Sequence, residues 1–124
     1  MNAVEIEQAV SALFAEPFDA ATFPFAFLEA FGNKETTLKR LREGNTNKSD
    51  VPNGLLQVNN IHLATCAPGD VTQTLAALGQ SAATSKHKAK FMLATDGADL
   101  QAEDLTTGDT LACSYADVPN HFGF

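Results

Sequence analysis

Side chains able to act on a ligand fall into three groups here: two cysteines, three histidines, and carboxylates alternating with clustered cations. Cys66 and Cys113 form no CxxC pair and no Cys/His cluster, and both lie in strand-like runs. They read as buried free thiols and not as zinc ligands. Neither has a basic neighbour to lower its pKa, so the pattern offers no cysteine nucleophile. His62, His87 and His121 are far apart and have no acid or thiol at ligand spacing, the pattern of an ordinary strand, loop and tail histidine. Asp96, Asp99, Glu103, Asp104 and Asp109 carry the hard oxygen atoms that a divalent cation takes, but turn chemistry and solubility account for the same residues. Metal binding is therefore not expected. A Gly-rich phosphate loop, GxSxG, HExxH and an EF-hand loop are all missing from the sequence.

The cations are segregated. All eight Lys and Arg residues fall in two windows, Lys34, Lys39, Arg40, Arg42 and Lys48, then Lys86, Lys88 and Lys90. The net charge of -7 thus divides into acidic ends and two windows of +3 each, over residues 32–48 and 86–90. An acidic total argues against a stand-alone nucleic-acid binder, while two local windows can still form one phosphate-facing patch. The alternative is a solvated helix face and a basic loop.

Elements must position these groups, and 124 residues with 44% hydrophobic side chains suffice for one domain that folds without metal or disulfide. The longest apolar-looking run, Ala20 to Phe31, is broken by Thr22, Pro24 and Glu29 and is too short to cross a bilayer, and no export signal precedes it. A cytoplasmic protein without a membrane partner is expected. Asn2, with Glu5 three residues on, is placed to cap a first helix with Ile6, Val10, Leu13 and Phe14 on one face, ending at Pro17. A second helix runs from near Pro24 to Gly32 with Phe27, Leu28 and Phe31 as its apolar stripe. These phenylalanines are core residues, because the interleaved cations of a base-stacking surface are absent between Phe14 and Phe31. A third helix spans about Glu35 to Glu43, with Leu38 and Leu41 inward, Lys39, Arg40 and Arg42 outward, and Gly44 closing it.

Asn45 to Asn53 reads as a surface loop. Leu55 to Val58 and Ile61 to Cys66 read as strands joined at Asn59-Asn60, with one long strand as the competing reading. Asp70 is placed to cap a helix buried through Val71, Leu75 and Leu78 and reaching about Ala83, followed by a basic lead-in from Ser85 to Lys90. Phe91 to Ala94, Leu100 to Ala102 and Thr110 to Tyr115 make a three-stranded meander, turned at Asp96-Gly97 and Thr107-Gly108-Asp109. The expected class is α+β: N-terminal helices (1–44), then a small mixed sheet with a flanking helix (54–124). The apolar ending Asn120 to Phe124 suggests a domain of a longer polypeptide. This α–β–β–α–β order is that of the nuclease core of many restriction enzymes. There an acid on one hairpin strand and a Glu-x-Lys on the next hold a metal and activate water. This hairpin offers Gln57 on the first strand and Thr65, Cys66 and Ala67 on the second, and no carboxylate lies between Asp50 and Asp70.

The run Phe25-Ala26-Phe27-Leu28-Glu29-Ala30-Phe31-Gly32 with Asn33-Lys34, the strand pair around Leu55 to Cys66, and Phe91 to Leu100 together resemble the N-terminal domain of the MmeI-like DNA methyltransferases. These are large single-chain enzymes of type IIL restriction-modification and related phage-defence systems. In restriction members the domain is a metal-dependent nuclease, followed by a helical connector, an S-adenosylmethionine-dependent adenine methyltransferase and a target-recognition domain. The resemblance puts the nuclease residues at Gln57, Thr65 and Ala67, none of which keeps the required chemistry. It therefore implies a restriction-endonuclease-like scaffold without catalytic residues or a bound metal, in a parent DNA (adenine-N6) methyltransferase. The methyl-donor Gly loop and the Asn/Asp-Pro-Pro-Tyr/Phe loop that grips a flipped base are not in this sequence, so S-adenosylmethionine is implied for the parent and no cofactor for these residues. The implied partners are DNA, weakly, through Lys39, Arg40, Arg42, Lys86, Lys88 and Lys90, and the remaining domains of the parent. The competing expectation is a protein-interaction domain with no DNA role, consistent with the net acidity.

Overall fold

The structure, a computed structural model, describes residues 2–44 and 46–121. Asn45 and the apolar ending Phe122 to Phe124 lie outside the described residues. Helix α1 (Ala3–Ala15) begins where the sequence predicts: Asn2 Oδ1 accepts from the Glu5 N–H at 2.9 Å, and Asn2 Nδ2 donates to the Glu5 carboxylate at 3.3 Å. Helix α2 (Phe23–Ala30) is closed by Gly32, whose φ of 99° a side chain would resist. Helix α3 is Glu35–Arg42. Strands β1 (Gly54–Gln57) and β2 (Ile61–Thr65) form the predicted antiparallel hairpin, turned at Asn59 with φ 64°. Strands β3 (Phe91–Thr95), β4 (Asp99–Asp104) and β5 (Thr110–Ser114) form the meander, and a 3-10 segment follows over Tyr115–His121.

The five strands lie in sheet order β1-β2-β3-β4-β5, antiparallel except for the parallel β2–β3 pair. A parallel neighbour requires a crossover, and α4 (Val71–Gln80) with α5 (Ala82–Lys86) supplies it. Side-chain alternation divides the core between the two sheet faces. One face turns Leu55, Ile61, Leu63, Leu93, Leu100 and Ala102 toward α1, α2 and α3. There Tyr115 packs against the rings of Phe14, Phe18 and Phe23 at centroid distances of 4.6, 5.2 and 5.7 Å, and burial pushes its phenol pKa up to about 12. The other face turns Ala64, Met92 and Ala94 toward Val71 and Leu78 of α4. Mixed pairing and separate helical and strand segments make this an α+β fold, as the sequence predicts.

Four local expectations need correction. The helix expected to reach Ala83 stops at Gln80, because Ser81 turns extended and its hydroxyl accepts from the Ala83 N–H to cap α5, so Ser85 and Lys86 are helical and not a lead-in. Asp70 precedes α4 but its side chain makes no capping bond. Phe31 is 44% exposed, stacked on Phe27 at 4.8 Å, and Leu75 is only half-buried. Cys66 lies just past β2, and both Cys66 and Cys113 are free but half-buried.

Candidate nucleic-acid interface

The hairpin positions that the nuclease comparison singles out do not converge. Gln57 ends β1 opposite Ile61, beside the turn. Thr65 is four residues further along β2, roughly 13 Å at strand rise, and Ala67 lies beyond it in an exposed loop. Thr65 is buried with its hydroxyl donating to the Ala20 carbonyl at 3.4 Å, on the face covered by the N-terminal helices. The carboxylates nearest in sequence are also separated. Asp50 accepts from Ser81 Oγ at 2.5 Å beyond the C-terminal end of α4, whereas Asp70 sits at the N-terminal end, about 15 Å away along the helix. Among the described residues no three His, Cys, Asp or Glu side chains are grouped to hold a metal ion. An amide, a hydroxyl and a methyl group bring no carboxylate to charge-balance a divalent cation.

Gln57 has a different task. Its Nε2 donates to Asn33 Oδ1 at 2.9 Å and its Oε1 accepts from Asn60 Nδ2. The Asn60 carbonyl in turn accepts from the N–H groups of Lys90 and Phe91 at 2.7 and 3.2 Å, and the Asn59 N–H donates to the His87 carbonyl at 2.9 Å. This chain of amides ties the start of the first basic window to the second at the turn end of the hairpin. Lys48 joins the same strand, its N–H donating to the Leu56 carbonyl at 3.2 Å.

The sequence-predicted cations are solvent-facing. Lys39, Arg40 and Arg42 occupy the last turn of α3, where positive charge complements the helix dipole, roughly two turns beyond Asn33. Arg42 is engaged, pairing with Glu35 at 3.1 Å and lying 5.1 Å from the Phe25 ring centroid. Among the described residues Lys39 and Arg40 make no ion pair. Lys86 ends α5, Lys88 takes a left-handed φ of 58°, and Lys90 leads into β3, all three exposed. The structure thus joins the two windows at one end of the sheet, through side-chain amides to Asn33 and through backbone bonds to His87, Lys90 and Phe91.

One constellation escapes the sequence reading. Thr84 Oγ1 donates to the Leu78 carbonyl at 2.6 Å, so it accepts from His62 Nδ1 at 2.8 Å, which leaves Nε2 to accept from Ser49 Oγ at 2.7 Å. A hydroxyl on an oriented imidazole is the geometry of an activated nucleophile. Here His62 is 0% exposed while Ser49 is half-buried, and a Cβ at Gly54 would stand 2.2 Å from Ser49 Oγ, so strand backbone lies directly against the hydroxyl. Burial holds the His62 pKa below its usual value, with Asp50 opposing, so the ring is the neutral pin of a structural latch. Positions 49, 62 and 84 share no sequence spacing that announces this. An apolar concavity of about 310 Å³ lies on the opposite face, lined by no polar side chain other than Asn33, Asn60 and His121 and by no carboxylate.

Among the described residues no helix is long and apolar enough to cross a membrane. Compared with known families, residues 1–124 match the model described as MmeI, N-terminal domain. No curated protein and no solved structure matches the chain.

Proposed function

The chain belongs to the MmeI N-terminal domain family, and from that premise we propose that it is a nuclease-like but catalytically silent domain of a DNA (adenine-N6) methyltransferase in a restriction-modification or phage-defence system. Its role is to contact DNA backbone or to dock on the rest of that enzyme. S-adenosylmethionine would be bound by the parent protein, since this chain has no Gly-rich loop to hold it. One observation supports the reading: Gln57, where the resemblance puts the nuclease acid, is an amide bonded on both sides, to Asn33 and to Asn60, between the two basic windows. On this reading the chemistry of that position serves the surface that would face phosphate. A lysine or arginine there acts as a point or planar charge on phosphate oxygens, without reading sequence.

The test has two arms. Duplex DNA titrated at low and at physiological salt is bound at low salt and released as salt rises, and charge-neutral substitution of Lys39, Arg40, Lys86, Lys88 and Lys90 removes that binding. Incubation of plasmid with the chain and magnesium leaves it uncut. Binding that is absent at low salt sinks DNA contact, and cleavage lost on Asp50→Ala or Asp70→Ala sinks catalytic silence.

A further inference from the structure

The two edges of the sheet are treated differently. Along β1 the chain folds back on itself: Lys48 N–H donates to the Leu56 carbonyl, the Leu56 N–H donates to Asn47 Oδ1 at 3.0 Å, and Asn47 Nδ2 donates to the Gly54 carbonyl at 3.2 Å. That edge is closed. Strand β5 pairs with β4 on one side, and among the described residues nothing pairs with its other side. Soluble proteins guard such edges with charges, proline or a bulge. Thr110-Leu111-Ala112-Cys113-Ser114 has no charged residue and no proline, and it pairs residue for residue with β4, without a bulge.

What lies beside this edge selects its occupant. On the face that carries α4, β5 presents only Thr110, Ala112 and Ser114, all exposed and small. Behind them on β4 stand Glu103 opposite Thr110 and Asp99 opposite Ser114. Ala112, Ser114, Asp99, Asp96, Gln101 and Thr72 line an open depression of about 400 Å³ over this corner of the sheet. The Asp96 carboxylate there accepts from the N–H groups of Gly69, Ala98 and Asp99, which holds its pKa below the usual carboxylate value and keeps it charged. From Phe91 onward the sequence has six acidic residues and no Lys or Arg.

We propose that the open edge of β5 docks an extended, Lys- or Arg-bearing peptide segment of a protein partner, which adds a sixth strand and reaches across Thr110, Ala112 and Ser114 to Asp99 and Glu103. Backbone hydrogen bonding supplies the attachment and alternate side chains the selectivity. An added strand stands two strand spacings, roughly 10 Å, from β4. A long cationic side chain crosses much of that distance over an alanine or serine, and the carboxylate extends toward it. The same acidity disfavours a second copy of this edge and disfavours nucleic acid, because like charges would be brought together. Asp99 lies at the end of β4 away from the basic windows, whereas Glu103 is two residues from Leu105, whose N–H donates to the Lys90 carbonyl at 2.8 Å; edge docking is read through Asp99 and Glu103 and DNA contact through the cation substitutions, so the two failures stay distinguishable.

The probe is a fluorescein-labelled nine-residue peptide alternating lysine and threonine, added to the 124-residue chain and followed by anisotropy and amide hydrogen exchange. The expected result is binding that slows exchange at Thr110–Ser114 and that weakens about tenfold in the Asp99→Asn, Glu103→Gln double variant, which leaves the edge backbone intact. Methylating alternate backbone nitrogens of the peptide removes binding while keeping its charge. Any of four results overturns the proposal: no binding up to about 1 mM peptide, equal binding of the version with glutamate for lysine, equal binding of the methylated peptide, or exchange protection that falls elsewhere.

Discussion

His62 shows how one side chain can look catalytic and be structural. Both ring nitrogens are bonded to hydroxyls at 2.7 and 2.8 Å, and no ring atom meets solvent. His62→Ala would remove the imidazole bonds of Ser49 and Thr84 and open a cavity, at a cost of about 2–4 kcal/mol, measured by urea denaturation. The pH dependence has a definite sign. With the folded pKa below the unfolded value near 6.5, the unfolded chain binds the proton first. Stability is then full above pH 6.5 and falls as pH drops from there toward the folded pKa, by at most about 1.4 kcal/mol per pH unit. In the His62→Ala variant that part of the slope disappears. Gly54→Ala strikes the same latch from the strand side, its Cβ meeting Ser49 Oγ at 2.2 Å and the Val51 carbonyl at 2.8 Å, and is expected to cost about 1–3 kcal/mol by the same measurement.

Elements with local signals were legible. Asn2 and Glu5 announce α1, and Asp96-Gly97 announces the β3–β4 turn, because caps and turns are decided by groups within a few residues. The expected cost of Asn2→Ala is about 0.5–2 kcal/mol, read from thermal unfolding by circular dichroism. At the hairpin, only Asn59 of the Asn59-Asn60 pair takes positive φ. Replacing it with β-branched Asn59→Val should therefore cost about 1–2 kcal/mol, while Asn59→Gly is neutral or slightly stabilising. The break between α4 and α5 was not legible. Val71 to Lys86 contains no proline, and what divides it is Ser81, held by Asp50 from a loop thirty-one residues earlier.

At the scale of the molecule, the sheet sorts charge. The cations gather at the hairpin turn and on α3, while the acids gather from Phe91 onward around β4 and β5. Net charge alone blurs this into -7. If the basic end faces duplex DNA, log K falls with log salt by about 0.9 per phosphate neutralised, and neutralising Lys39, Arg40 and Arg42 together removes up to about three phosphates' worth of that slope. A slope unchanged by the triple substitution would place the contact at Lys86, Lys88 and Lys90 alone. The positions that the resemblance singles out, Gln57, Thr65 and Ala67, are read directly from the sequence, but their separation to opposite ends of the hairpin is not. An antiparallel register fixes that separation, and register is a property of the paired strands.

The sequence by itself determined the α+β class, nearly every helix and strand, the two basic windows and the family resemblance, because periodicity, caps and composition act over short stretches of chain. Only the tertiary structure decided that Gln57 ties those windows together, that Ser49 and Thr84 latch the buried His62, and that among the described residues β1 is covered while β5 stands open. Each of these depends on contacts between residues many positions apart. Such contacts are set by which strands pair and which faces are buried, and no local pattern encodes them.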